Sequence, residues 1–261
     1  MDRDVSAFSN EDAWRLAALS TMGKGELHAL FAGERARPWV SAAANAGLPD
    51  AQMRLGRMLL SGEGAAQDQA AAFMWFGRAA EQGVAEAHNM LGRCYEGGWG
   101  VEQSLVLAAQ HYGLAADAGD SWAQYNLGHL YLDGLGVTRD FGRAYRLYSA
   151  ASEEGHARAM NLVARCFEQG WGVARDATLA RAWYRKSAEG GYFRGAYNYA
   201  TMLAAEGCLA GAAHWFEKAL ATAPEPTRSA MAEALSKSLH ASLRALGLGM
   251  HALTGATEGL S

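Results

Sequence analysis

Residues 119–154 read GDSWAQYNLGHLYLDGLGVTRDFGRAYRLYSAASEE, and the same phrase returns with variations every 36 residues. Glycine opens it at Gly47, Gly83, Gly119, Gly155 and Gly191. Four residues on stands a small residue: Ala51, Ala87, Ala123, Ala159 or Gly195. Then come Leu55, Leu91, Leu127, Val163 and Tyr199, each followed by Gly56, Gly92, Gly128, Ala164 or Ala200. A Gly-x-Gly pair marks the middle, at Gly62 and Gly64, Gly98 and Gly100, Gly134 and Gly136, Gly170 and Gly172. An aromatic ladder follows at Phe76, Tyr112, Tyr148 and Tyr184. Several positions hold one register over four periods, which is the signature of a repeat array.

Inside each phrase the pattern is helix, loop, helix. Ala87, Leu91, Cys94 and Tyr95 fall at i, i+4, i+7 and i+8, one face of a helix with 3.6 residues per turn. The glycine pair stops that helix, because glycine reaches backbone angles that strain other residues. Asp68, Ser104, Asp140 and Asp176 then stand where a second helix needs an oxygen for its free amides. A single pair of this size cannot bury its apolar face, but stacked neighbours can. The reading is therefore all-α: a solenoid of antiparallel helix pairs. Four repeats are expected at 47–82, 83–118, 119–154 and 155–190, after N-terminal helices and a degenerate half-repeat over 1–46. A degenerate fifth repeat with a shortened inter-helix loop is expected over 191–223. A capping helix is expected over 224–246, with Leu235, Leu239, Leu243 and Leu246 on one face, and a flexible tail over 247–261.

These phrases resemble Sel-1-like repeats, relatives of the tetratricopeptide repeat. The third repeat supplies Ala123, Leu127, Gly128, Tyr131, Gly134, Gly136, Val137, Asp140, Ala144 and Tyr148; the fourth supplies Gly170, Gly172, Val173, Asp176, Ala180, Trp183, Tyr184 and Ala188. The resemblance implies a right-handed superhelix and an adaptor or regulatory role, and it does not imply a partner. One branch of the family is secreted and disulfide-rich, with reported penicillin binding, and carries a cysteine pair in each repeat. Here Cys94 and Cys166 share a repeat position two periods apart, roughly 20 Å if helix layers pack at ~8–10 Å, too far to bridge. Free thiols filling core positions are expected, and a hydrolase of that branch is the least supported reading.

Composition narrows the classes further. Half of the 261 residues are hydrophobic and four are proline, so the chain can bury a core. A formal net charge of −4 leaves no basic excess for a nucleic-acid surface. The start, Met1-Asp2-Arg3-Asp4, has acids where a signal peptide has bases, and no apolar run approaches a bilayer span. Three cysteines fit a reducing compartment. A cytoplasmic location is expected. The Gly-x-Gly pairs lack the strand, third glycine and lysine of a phosphate loop, and their recurrence marks them as turns. No Cys-x-x-Cys or His-Glu-x-x-His occurs, and Cys94 with His111 makes only two ligands, so no metal or other cofactor is expected. No nucleophile stands in a recognisable elbow, and no enzyme activity is expected.

What remains is surface. In a solenoid the first helices line a concave groove. The register places Arg57, Asn89, Arg93, Trp122, Tyr125, Asn126, His129, Arg158, Asn161, Arg165, Arg194, Tyr197 and Asn198 on that face. Arg forks grip carboxylates, Asn bonds a peptide backbone, and aromatic rings give contact area at low entropy cost. The expected function is a protein-interaction scaffold or adaptor holding a peptide or protein segment with acidic side chains or a free carboxylate. A sequestering regulator of immunity type is the alternative. Trp99 and Trp171, in the loops, are expected to fold over the helical joints.

Overall fold

A helix pair stays closed only if its two backbones can approach and its ends find partners for their free amides and carbonyls. In a computed structural model, which describes residues 10–23, 25–26, 30, 36–64 and 66–258, the described residues form fourteen helices and no strand. They are α1 (Asn10–Thr21), α2 (Ala36–Asn45), α3 (Pro49–Ser61), α4 (Gln69–Glu81), α5 (Ala85–Gly97), α6 (Leu105–Asp117) and α7 (Ser121–Asp133). There follow α8 (Phe141–Glu153), α9 (Ala157–Gln169), α10 (Ala177–Glu189), α11 (Phe193–Ala205), α12 (Leu209–Thr222), α13 (Glu225–Ser236) and α14 (Ala241–Glu258). No helix among the described residues is long and apolar enough to cross a membrane.

The chain divides into two compact bodies. The first runs to Ala123 and includes Gly134–Thr138; the second comprises Gln124–Asp133 and the chain from Arg139 onward. Within each body consecutive helices pack in serial order. The first body buries Val40, Met53, Leu55, Phe76, Leu91 and Cys94. In the second body one cluster gathers Leu132, Tyr148, Val163, Cys166 and Tyr184, and another gathers Phe216, Leu220, Leu235 and Leu243.

The repeat positions explain the joints. Asp68, Ser104, Asp140 and Asp176 accept hydrogen bonds from the amides of Ala71, Leu107, Arg143 and Leu179 at 2.9, 3.3, 2.9 and 2.9 Å. Each such cap contributes about 1 kcal/mol. Gly98 ends α5 in the left-handed region at φ +67°, and the amides of Gly98 and Trp99 both return to the Cys94 carbonyl. The second glycine of each pair does different work. Gly100, at φ +71°, lies so close to α4 that a Cβ would stand 2.1 Å from the Gln69 carbonyl oxygen. Gly172 meets the Phe141 carbonyl oxygen at 2.2 Å in the same way. Each loop is thereby laid against the opening turn of the preceding repeat's second helix. Inside a pair, a Cβ at Gly56, Gly92 or Gly128 would lie 2.5 Å from the ring of Phe76, Tyr112 or Tyr148.

The C-terminal end corrects the sequence reading. The single helix expected to reach Leu246 is two helices, broken between Ser236 and Ala241, and the stretch expected to be a flexible tail is helical as far as Glu258. Leu235 and Leu243 are buried, whereas Leu239 lies in the break and is 95% exposed. Turning back covers Leu235 and Leu243, and Gly247, buried and 2.3 Å by its would-be Cβ from the Ser236 amide, permits the close crossing. In the fifth repeat the inter-helix loop shortens to the stretch between Ala205 and Leu209.

Gly100→Ala should cost about 2–4 kcal/mol in urea unfolding, because the methyl meets backbone at a left-handed position. Gly113→Ala, mid-helix with nothing within 4 Å of its would-be Cβ, should instead gain roughly 0.5–1 kcal/mol. Equal effects at the two sites would show that close approach of the loop is not what selects glycine.

Candidate partner-binding face

The residues expected to line a groove do not all reach the surface. Asn89 and Asn161 are buried, 6% and 4% exposed, which corrects their assignment to an open face. Their neighbours on the same flank, Met53, Met90 and Leu162, are buried as well. The reason is geometric. Within a body, first helices lie side by side, so a flank of the helix presses on the adjacent layer while its crest meets solvent. The Asn198 side-chain amide donates to the Asn161 side-chain oxygen at 2.9 Å, a bond between α11 and α9. Asn161 and Asn198 thus tie α9 to α11.

In the first body the crest carries Arg57, Arg93 and Trp122. Arg57 forms an ion pair with Glu86 of the next first helix. Arg93 lies over the Trp99 ring at 5.2 Å, and Trp99 packs against the body's core. Trp122 is 47% exposed. Here Arg57 meets an acid and Arg93 a ring within the same body, and Trp99 packs at the joint.

The second body is different. Tyr125 and His129 of α7 meet edge to face at 4.7 Å, and Tyr125 lies 5.0 Å from the His156 ring. The Arg158 guanidinium sits over the Tyr192 ring at 5.8 Å, and Arg194 beside Phe193 at 5.7 Å. Arg158 and Arg194 are exposed, and Tyr125, Asn126, Tyr197 and Asn198 are half-buried. Burial pushes the Tyr125 hydroxyl up, Tyr192 adds to this, and Arg158 and Arg194 oppose it, so all four share one electrostatic neighbourhood. Arg165 covers Trp171 at 5.0 Å, and Tyr197 meets Phe216 at 5.1 Å. Three first helices thus present a basic and aromatic face. The sequence reading missed His156 and Tyr192 there, although both stand at the residue before their helices, one column of the 36-residue register.

His156 also holds its own helix. Its Nδ1 accepts the Ala159 amide at 3.1 Å, a cap at the start of α9. Burial lowers its pKa, and Arg158 lowers it further. Tyr148 departs from its ladder. The hydroxyls of Tyr112 and Tyr184 donate to Glu96 at 2.5 Å and Glu168 at 2.8 Å. At the corresponding position beside Tyr148 stands Leu132, and the buried Tyr148 hydroxyl has no hydrogen-bond partner among the described residues.

Comparison with known proteins follows the register. Residues 49–84, 85–120, 123–156 and 157–192 match the family model of the Sel1 repeat. A protective antigen present in uropathogenic Escherichia coli strains, with an SLR fold, is 29% identical at a TM-score of 0.67, over 87% of this chain and 50% of that one. This chain thus spans half the length of that antigen. A Sel1 repeat protein from Oxalobacter formigenes is 25% identical at a TM-score of 0.71, over 81% of this chain and 85% of that one. An immunity protein from Pseudomonas aeruginosa is 19% identical at a TM-score of 0.51, over 76% and 75% of the two chains, a likeness of fold. No curated protein matches the chain. Taken with the helices described above, these likenesses make the fold an all-α helical repeat solenoid.

Two measurements test the site's internal chemistry. Tyr112→Phe should destabilise the protein by about 1–2 kcal/mol, since Glu96 loses a donor, while Tyr148→Phe should be neutral or stabilising. A comparable loss at Tyr148 would reveal a partner for its hydroxyl. For His156 the folded pKa is lowered, so its contribution is complete above the unfolded value of about 6.5 and is lost as pH falls below it. His156→Asn keeps a capping oxygen that does not titrate. Its unfolding free energy should fall less than that of the wild type between pH ~6.5 and ~5; parallel pH curves would separate the cap from the titration.

Proposed function

The chain belongs to the Sel1 repeat family, whose repeats form a protein-interaction module, and from that premise we propose a non-enzymatic scaffold that grips a partner segment bearing acidic side chains or a free carboxylate. The observation that carries this reading is the set Arg158, Arg194, Tyr125 and Tyr192 on the first-helix face of the second body. Both guanidiniums are exposed, and a guanidinium takes a carboxylate in two-pronged fashion. Half-buried tyrosines beside it supply contact area with few rotors to freeze.

A cytoplasmic setting suits the thiols. Cys94 and Cys166 are buried and free, and burial pushes them up to about 11 and about 12, so both stay protonated and inert. Cys208 is free and exposed, which a reducing compartment tolerates. A sequestering regulator would use the same face, and the two roles differ in what becomes of the partner once held.

Fluorescence titration with a pool of acidic peptides, each with a free or an amidated C-terminus, tests the reading. Acidic members should bind and weaken with added salt. Arg158→Ala and Arg194→Ala should each weaken binding by about tenfold. Equal binding of neutral peptides, or unaltered affinity in the double variant, would remove this face from the mechanism.

A further inference from the structure

Helix α6 of the first body is apolar on both of its sides. Inward, Ala108, Tyr112 and Ala115 are buried, and His111 shares a hydrogen bond with His88 of α5, their Nδ1 atoms 3.1 Å apart. Outward stand Val106, Leu107, Gln110 and Leu114, all exposed, with Val106 and Leu114 each at 54%. Leu107, Gln110 and Leu114 fall at i, i+3 and i+7, one stripe along the helix. The loop Gly134–Thr138 of the same body extends that stripe. A Cβ at Gly136 would lie 2.3 Å from the Leu105 backbone, and the adjacent Leu135 is exposed as well. Covering such a stripe is favourable, because apolar surface gains free energy on leaving water.

The other second helices are built differently. The register positions of Leu107, Gln110, Leu114 and Asp117 read Ala71, Met74, Arg78 and Glu81 in α4. They read Arg143, Arg146, Ala150 and Glu153 in α8, and Leu179, Ala182, Lys186 and Glu189 in α10. Each of those helices carries a cation in these columns, and α6 carries none. From Leu105 to Ala116 it has no Lys, Arg, Asp or Glu, and Asp117 is its one acid.

We propose that α6 is a homotypic docking face, on which a second copy of this chain lays its own α6 antiparallel across a two-fold axis. A two-fold contact requires a patch that complements itself, so that residue i meets j while j meets i. With the axis beside Gln110, Leu107 meets the copy's Leu114, and Leu114 meets the copy's Leu107. Gln110 then faces the copy's Gln110. A glutamine amide carries both donors and an acceptor, so two of them can bond each other. Charge selects the antiparallel sense. It brings Asp117 to the opening turn of the copy's α6, whose free amides carry partial positive charge. A parallel pair would set Asp117 beside Asp117 and Glu102 beside Glu102. The stripe offers no cation to the acidic segment proposed for the second body, so the two faces are independent. Four apolar side chains per copy fall short of the ~1,200 Å² total of a stable complex, so the dimer is weak, with a Kd on the order of 10–100 μM.

Sedimentation equilibrium of the full chain from about 1 μM to about 1 mM tests this. The mean mass should rise from that of one copy toward that of two. The double variant Leu107→Glu, Leu114→Glu changes exposed sites only, and it should stay monomeric throughout with the circular dichroism of the wild type. Gln110→Glu and Gln110→Lys should each weaken self-association by at least about tenfold, because like charges meet at the axis. An equimolar mixture of those two variants should recover it. A dimer that survives the double variant, or no recovery in the mixture, would overturn the proposal. A wild type that stays monomeric would overturn it too, and would leave the stripe to a different protein.

Discussion

The contact on which the molecule depends is an aromatic ring pressed onto a helix where no side chain intervenes. Phe76 rests over Gly56, Tyr112 over Gly92 and Tyr148 over Gly128, and each would-be Cβ would clash with the ring at 2.5 Å. The three rings are fully buried. Burying a side chain of that size contributes about 2–3 kcal/mol, and the close approach excludes a void that would cancel part of it. The next joint follows the same logic with backbone in place of a ring. Gly100, Gly136 and Gly172 let each loop touch the start of a helix one repeat earlier. Ring on glycine closes a pair, and glycine on backbone lays each of these loops against the start of a helix within its own body.

Because the joints are repeated, departures from the repeat are where chemistry can differ. Phe76 needs no hydrogen-bond partner and faces a position occupied by Leu60; Tyr112 and Tyr184 find Glu96 and Glu168. Tyr148 keeps the hydroxyl while Leu132 has replaced the carboxylate. His129 stands where the other repeats carry Arg57, Arg93 and Arg165, and it turns edge-on to Tyr125 and Tyr148. The third repeat is thus the most aromatic and least charged of the four at this level. The second repeat departs at His88 and His111. Each departure leaves the glycine and capping positions intact, so the scaffold carries it without refolding.

The arginines of the two bodies meet different neighbours. In the first, Arg57 is held by Glu86 and Arg93 by the Trp99 ring, both within their own body. In the second, Arg158 and Arg194 rest on rings while remaining exposed. A ring under a guanidinium engages its face, a contact of a different kind from the two-pronged bond its edge makes with a carboxylate. An exposed ion pair such as Arg57 with Glu86 contributes only about 0–1 kcal/mol, but it answers one arginine with an acid already present.

The sequence by itself determined the helices, their order and their joints. A 36-residue period of glycine, alanine and aromatic positions has one economical physical solution, and Asp68, Ser104, Asp140 and Asp176 cap the helices as their spacing requires. Only the tertiary structure decided which first-helix residues are surface. Asn89 and Asn161 sit within reach of the crest on a helical wheel, yet neighbouring layers cover them, and a wheel has no neighbours. Leu239 fits an apolar stripe yet lies in a break between two helices that bury Leu235 and Leu243, and which leucines of a stripe are covered is fixed only by packing. The His88–His111 pair was hidden for the same reason: periodicity is a property of one helix, and a contact between helices is fixed only when they pack.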